Sequence, residues 1–310
     1  MDPRTTADPQ EGGAPTLTGR RPLTRRSQTV SVANVSVLLE TPLLRLGEFR
    51  CPPGDDAWRE TNSIGHQAHV VFPRVPVMIQ HDGGAPVLAT PTHTMLYNPE
   101  QAYRRELRSP AGDDCVFVEL SEQSLAQLAA DGVELYDGER LMASHAPAAR
   151  ETYLLQHLLV RHLRSQASDP LLAEEAAVAA TLAALRPVRV RSKPAHLELA
   201  EAAKAELAAD SKLSLHQLAR RLHASAFHLA RVFRAETGFS VHGFRQSLRL
   251  RAALEQVSAH RNDLTALALE LGFSSHSHFT ERFRNEFGVP PSRVRDDRHV
   301  RDLLEVALRA

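Results

Sequence analysis

Hydrophobic and polar residues alternate in the first third of the chain and then change to a helical spacing. Between residues 29 and 120, runs such as VSVANVSVLLE and DDCVFVEL are rich in β-branched residues, and turn signals such as DGG at 82–84 separate them. This pattern is typical of short antiparallel strands. Residues 121–130, 148–166 and 170–185 instead space their apolar positions by three and four, which predicts helices. The pattern therefore predicts a small antiparallel sandwich or barrel followed by helices.

Composition shifts divide the chain into four predicted parts. Residues 1–28 are rich in Pro, Gly, Thr and Arg without periodicity, which predicts a disordered tail. Residues 29–186 form the strand-rich region with its helices. Residues 187–194, PVRVRSKP, are basic and bracketed by prolines, as in a linker. Residues 195–310 are predicted to be all helical.

The amphipathic helices at 148–166 and 170–185 leave two interpretations open. They either cover the sheet within one chain or form the seam of a homodimer, because an apolar helix face beside a β domain suits both.

A degenerate repeat lies in the predicted helical part. The residues HL, FR, E and G between 228 and 238 recur as HF, FR, E and G between 278 and 288, at a constant offset of 50 residues. Each copy predicts a helix, a tight turn and a second helix, and a helix at 241–260, about 30 Å long, joins the copies. Small residues suit the close helix approach, phenylalanines the core, and glycines the positive φ of turns and helix ends. These turn and packing residues are Ala219, Phe233, Gly238, Ala268, Gly272, Phe283 and Gly288.

Two stretches within this repeat resemble a known family. GFSSHSHFTERFRNEFGVPPSRVR at 272–295 resembles the signature of the AraC/XylS family of bacterial transcription regulators. LARRLHASAFHLARVFRAETGFSVHGF followed by RLRAAL is similar to the family's first helix-turn-helix and linker helix. The resemblance covers about 197–295. It implies an α+β protein: an N-terminal cupin-like β-barrel with helices, then an all-α domain with two helix-turn-helix units.

The resemblance also implies a function and partners. The chain is expected to be a sequence-specific regulator that binds double-stranded promoter or operator DNA and contacts RNA polymerase in the cytoplasm. Its N-terminal domain is expected to sense a small molecule or another signal. The residues leave two alternatives open: an N-terminal domain that responds to a protein partner, or one that is a metal-dependent cupin enzyme.

Matching the family's positions residue by residue gives the expected DNA contacts. Arg231 can donate two hydrogen bonds to guanine, and Phe227 can touch a thymine methyl group. Glu281 departs from the basic residue common in the family, so it either accepts from cytosine or is neutral surface. The expected base-reading residues are Phe227, Ala230, Arg231, His276, Ser277, His278 and Glu281, and the expected phosphate contacts are Arg234, Arg249, Arg282 and Arg284.

Charge and the remaining chemistry agree with this interpretation. The net charge is zero, yet the chain from Pro187 onward has 20 basic residues against 14 acidic ones, which indicates a basic C-terminal part. His66 and His69 lack the glutamate and later histidine of a metal-binding cupin, so no metal site is predicted. Catalytic and nucleotide-binding motifs are missing, and no apolar run is long enough for a membrane span. We therefore expect no enzyme activity, no cofactor and no membrane partner.

Overall fold

The computed structural model describes residues 35–131, 133–166, 168–185, 193–210, 213–260 and 263–309. The predicted tail at 1–28 and residues 187–192 of the predicted linker lie outside the described residues. Within the described part, strands occupy the N-terminal region and helices the C-terminal region. This arrangement confirms the α+β class.

The strands form two antiparallel sheets. One sheet has six strands in the order β1-β2-β9-β4-β7-β10, and the other has four in the order β3-β8-β5-β6. Among the described residues the two sheets do not join into one closed ladder, so the predicted cupin-like barrel is a pair of facing sheets rather than a closed cylinder. The strands are β1 (Val35–Glu40), β2 (Leu44–Cys51), β3 (Asn62–Ser63), β4 (Ala68–Pro73), β5 (Val77–His81), β6 (Val87–Ala89), β7 (His93–Tyr97), β8 (Ala102–Leu107), β9 (Asp113–Leu120) and β10 (His145–Pro147).

Strand β9 shows how the larger sheet separates two apolar layers. Successive side chains of a strand point to opposite faces. Cys115 and Phe117 belong to the cluster between the two sheets. Val116 and Val118 belong to a second cluster, which contains the helices behind the sheet. The larger sheet is therefore buried on both faces.

The helices at 121–130, 148–166 and 170–185 are confirmed, with ends that differ by one or two residues. The second of them is buried along most of its length, including Tyr153, Leu158 and Leu159, and covers the larger sheet. The helices are α1 (Glu122–Ala130), α2 (Arg150–Arg164), α3 (Pro170–Ala184), α4 (Pro194–Ala209), α5 (Leu215–Arg221), α6 (Ala226–Thr237), α7 (Val241–Gln256), α8 (Leu264–Glu270), α9 (His276–Phe287), α10 (Pro291–Arg295) and α11 (Val300–Leu308).

Helix α7, which joins the two repeat copies, is shorter than predicted. It has 16 residues, which gives a length of about 24 Å instead of about 30 Å. After Gln256 the chain tightens, because the Ala259 N–H donates to the Gln256 carbonyl at 3.0 Å, three residues away as in a 3-10 turn. No helix of the described residues has the length and apolar character that a bilayer crossing requires.

Candidate nucleic-acid interface

Helices α5 and α6 form the first helix-turn-helix unit, and local polar contacts fix where each begins. Ser214 and Gln217 make the reciprocal side-chain contacts of a capping box at the start of α5. Ser225 caps α6 by accepting from the His228 N–H at 3.2 Å, and Gly238 ends α6 with a φ of 74°. The sequence therefore determines both helices locally.

Helices α8 and α9 form the second unit with the same arrangement. Asp263 caps α8 by accepting from the Ala266 N–H at 2.7 Å, and Ser275 caps α9 through the His278 N–H at 3.1 Å. Gly272 in the turn has a φ of 79°, and its counterpart in the first unit, His223, has a φ of 50°. Histidine tolerates this left-handed region better than most residues. The prediction of two equivalent turns is confirmed.

The residues predicted to pack inside each unit are buried. Ala219 and Ala268 lie where the paired helices meet, and Phe233 and Phe283 are fully buried. The two cores differ in extent. Phe233 belongs to a separate cluster formed by α4 to α7, whereas Phe283 belongs to the cluster that continues into α2 and the larger sheet. The second unit is therefore built onto the N-terminal domain.

The face of α6 that carries Phe227 and Arg231 is exposed. The side chain of Phe227 is 91% exposed, and Arg231 and Arg234 are also exposed, with Ala230 partly covered between them. The Arg231 guanidinium donates to His228 Nδ1 at 3.2 Å, which orients it along the helix surface. An exposed aromatic ring and an arginine that points away from the protein can both contact base edges.

The outer face of α9 is more polar. His276, Ser277 and Glu281 are exposed, and His278 is partly buried. The Arg282 Nε donates to His278 Nε2 at 3.4 Å. Arg284 is exposed and lies two residues before Glu286, whose carboxylate accepts from the Ser247 hydroxyl at 2.9 Å. The structure thus places the expected DNA-contacting residues on α6 and α9, except Arg249, which is half-buried on α7.

The two histidines at the start of α9 contact different hydroxyl groups. His276 Nε2 lies 3.5 Å from Thr280 Oγ1, while His278 Nδ1 lies 3.0 Å from Ser274 Oγ. The described residues contain no group of three or more His, Cys, Asp or Glu side chains that could hold a metal ion.

The junction between the C-terminal helices and the N-terminal domain contains charged residues that the sequence reasoning missed. Arg251 of α7 is fully buried. Its guanidinium donates to the Pro91 carbonyl and, at 2.9 Å, to the Ala148 carbonyl, and it lies 5.0 Å above the Tyr153 ring. Burial lowers the pKa of Arg251 to about 10. The available signal was a charged residue at a core position of α7, beside Leu250 and Leu254.

Glu255 lies one turn further along α7 and enters the same junction. Its carboxylate accepts from the Tyr153 hydroxyl at 2.9 Å, lies 3.3 Å from His157 Nδ1 and lies 3.4 Å from Arg74 Nε. Burial by itself would raise the pKa of Glu255, but His157, Arg74 and the Tyr153 hydroxyl outweigh it and lower the pKa to about 2. The carboxylate therefore stays charged within the junction.

A third contact joins the first unit to the larger sheet. The Lys204 ammonium of α4 donates to His93 Nε2 at 2.9 Å and pairs with Glu201 on its own helix. Burial, followed by the charge of Lys204, lowers the pKa of His93 well below its usual value. A neutral His93 can accept this bond, so the charge state of the pair matches its geometry.

A cavity of about 170 Å³ lies between the two sheets. Most of its wall is aliphatic or aromatic, which is the character of small-molecule sites in general. Its polar wall groups include Asp113, Tyr97 and Tyr103, together with Arg45 and His69. The apolar wall includes Val71, Val77, Ile79, Ala89, Met95 and Phe117.

This geometry defines the class of protein: a DNA-binding protein with two helix-turn-helix units. A helix-turn-helix domain model matches residues 218–297. The multiple antibiotic resistance protein MarA of Escherichia coli is 33% identical over 86 residues, which are 28% of this chain and 68% of MarA. An uncharacterized HTH-type transcriptional regulator, YfiF of Bacillus subtilis, is 35% identical over 83 residues, or 27% of this chain and 26% of YfiF.

The chain belongs to the AraC/XylS family, and it is an AraC-type DNA-binding transcription regulator. Among solved structures, ToxT from Vibrio cholerae aligns with 81% of this chain and 97% of its own, at 12% identity and a TM-score of 0.31. The AraC-like transcriptional activator CuxR aligns with 69% of this chain and 78% of its own, at 13% identity and a TM-score of 0.34.

Proposed function

We propose that helices α6 and α9 enter neighbouring major-groove segments on one side of a promoter or operator. The observation that supports this best is the contrast between the faces of each helix. Leu229 and Phe233 of α6, like Phe279 and Phe283 of α9, are buried, while the opposite faces are exposed. In this arrangement α7 joins the units as one rigid segment.

The contacts divide into base readout and backbone positioning. Arg231 donates to guanine and Phe227 touches a thymine methyl, with Ala230 close enough to the groove floor to add apolar contact. His276, Ser277 and His278 contact base edges from α9. Arg234, Arg282 and Arg284 pair with phosphates, whose neutralisation makes binding depend steeply on salt. Glu281 lies at the surface in this proposal and neither strengthens nor weakens DNA binding.

The N-terminal region, 29–186, is the signal-sensing domain in this proposal. The mainly apolar cavity between its sheets supports a small-molecule signal over a protein partner. The C-terminal region, 195–310, binds DNA, and 187–194 connects the two. The relative YfiF is named as a transcriptional regulator, and this supports our proposal that the domain senses a signal without catalysing a reaction.

Binding beside a promoter changes transcription in the cytoplasm through contact with RNA polymerase. Homodimer formation through the N-terminal domain belongs to the same proposal, because α3 leaves Leu171 78% exposed and Leu182 40% exposed on its outer side. Apolar residues of this size on one helix suit a second copy of the chain.

The test is selection of DNA fragments from the source genome by the full chain, followed by footprinting of the enriched fragments. We expect a small set of enriched sites, each protected in two groove segments about 34 Å apart. The matched variants are Arg231→Ala in the first unit and Ser277→Ala in the second, each of which should lose preference at a different position. Enrichment no greater than that of random fragments would overturn the proposal.

A further inference from the structure

Charged groups in the cavity wall are already neutralised by the protein. Arg45 donates to Glu119 at 2.7 Å at the edge of the cavity. Asp113 accepts from the fully buried Arg105 at 3.0 Å. A carboxylate or ammonium group of a ligand would therefore enter an apolar space without an available counter-ion, which is costly.

One polar group in the wall has no hydrogen-bond partner in the part of the chain that the structure describes. The side chain of Tyr97 lines the cavity and is buried, and its hydroxyl makes no hydrogen bond with any described residue. Neighbouring Tyr103 differs, because its hydroxyl accepts from Arg105. Tyr97 can thus offer a hydrogen bond to a molecule that is otherwise surrounded by carbon.

We propose that the cavity binds an uncharged, mainly apolar molecule with one hydrogen-bonding group, of the class of phenols and small aromatic or aliphatic alcohols. The volume of about 170 Å³ sets the size, since an apolar cavity of about 150 Å³ holds benzene. The assignment rests on the proposed sensing function and adds to it the chemical class of the signal.

Three molecules of similar size test the class with the full chain: benzyl alcohol, benzoate and benzylamine. Calorimetry and thermal unfolding should show saturable binding and a raised midpoint for benzyl alcohol alone. Tyr97→Phe should weaken that binding about threefold to tenfold, the effect of one hydrogen bond. Ala89→Leu should abolish it by filling the cavity, while Tyr136→Phe, outside the cavity, should leave it unchanged.

The outcomes of this experiment distinguish an error in the proposed ligand class from an error in the proposed sensing function. Preferential binding of benzoate or benzylamine would overturn the uncharged class and leave small-molecule sensing in place. If none of the three binds, or if Tyr97→Phe and Ala89→Leu bind benzyl alcohol as the parent does, the cavity assignment is wrong. DNA selection by the same protein tests the DNA-binding proposal independently of either result.

A second inference comes from the contacts of α7. Arg251 donates to the carbonyl of Pro91, two residues after the cavity residue Ala89. Glu255 pairs with Arg74, the neighbour of the cavity residue Pro73. Arg251 and Glu255 therefore each make one contact that ends within two residues of the cavity wall.

We infer that Arg251 and Glu255 couple the cavity to the two DNA-binding units. Helix α7 connects those units directly, and its Ser247 hydroxyl also donates to Glu286 of α9 at 2.9 Å. A shift of β4 or of the segment before β7 moves the anchors of α7, and with them the relative placement of α6 and α9. This inference also rests on the proposed function, and it requires no knowledge of the natural ligand.

Coupling between two sites acts in both directions. If the cavity and the DNA-binding units are coupled, DNA binding must therefore alter the cavity, and this can be tested. Hydrogen exchange of the full chain, with and without a selected DNA fragment, should change in β4 and β6. In Glu255→Gln and Arg251→Met, that change should fall to less than half, while Gln256→Ala on the same helix keeps it. The coupling would be overturned if DNA changed hydrogen exchange equally in the parent, Glu255→Gln and Arg251→Met, or if it caused no change in the parent. Circular dichroism identifies a variant that unfolds, and the other variant then decides.

Discussion

Helix α11 ties the second DNA-binding unit to the N-terminal domain, so we expect separation of the domains to affect the two units unequally. Val300, Leu303 and Leu304 are 2%, 3% and 0% exposed, and α11 packs against α2 and α3. A fragment of residues 194–310 loses that cover. Exposing three such side chains costs about 5–9 kcal/mol, which is comparable to the whole stability of a small domain.

The first unit keeps its core in the same fragment, because its cluster is formed by α4 to α7 alone. Hydrogen exchange should therefore show α9 losing at least about a hundredfold more protection than α6, relative to the full chain. Polar contacts point the same way: Arg161 of α2 donates to Asp297 at 2.5 Å, and Arg301 of α11 donates to Asp169 at 3.0 Å. Equal protection of α6 and α9 in the fragment would refute the reasoning.

Three further predictions concern the DNA contacts and the junction. Arg231→Ala should cost about 1–3 kcal/mol at the preferred site and relax one position, whereas Arg284→Ala should weaken all sequences alike in binding titrations. One alanine inserted after Ala253 rotates one unit by about 100° and shifts it by about 1.5 Å, so footprinting should retain only one protected segment. The carboxylate of Glu255, with its pKa lowered to about 2, stabilises the fold above its unfolded pKa. Acid unfolding curves should therefore show that stability declining between about pH 4.5 and pH 2, and Glu255→Gln should lack this part of the decline.

Local chemistry explains what the sequence predicted well. The signals that begin and end a helix act within one or two turns of the chain: a serine or aspartate cap, a left-handed residue and a terminal glycine. Ser225, Gly272 and Gly288 therefore identify their elements without knowledge of the rest of the chain. The spacing of apolar residues likewise predicted α2 and α3. These features depend only on neighbours in the sequence, and the structure confirms them.

Long-range contacts explain what the sequence did not predict. The partners of Glu255 lie about 100 residues or more away, at Tyr153, His157 and Arg74, and no periodicity links them. Treating 195–310 as an independent domain also hid the fact that its second unit shares one apolar cluster with the larger sheet. Closure of the barrel could not be predicted either, because it depends on strand pairing rather than on strand pattern.

The exposed ring of Phe227 allows function and stability to be tested apart. At 91% exposure, the ring makes little contact with the protein, so Phe227→Ala should change stability by less than about 0.5 kcal/mol. Phe233→Ala, which removes a buried ring from the same helix, should cost about 3–5 kcal/mol. If Phe227 touches a thymine methyl, replacing that thymine by deoxyuridine should weaken binding by the parent and have no effect on Phe227→Ala. A double-mutant cycle between ring and methyl measures this coupling directly, and a coupling energy of zero at every thymine of the site would show that Phe227 contacts no thymine methyl group.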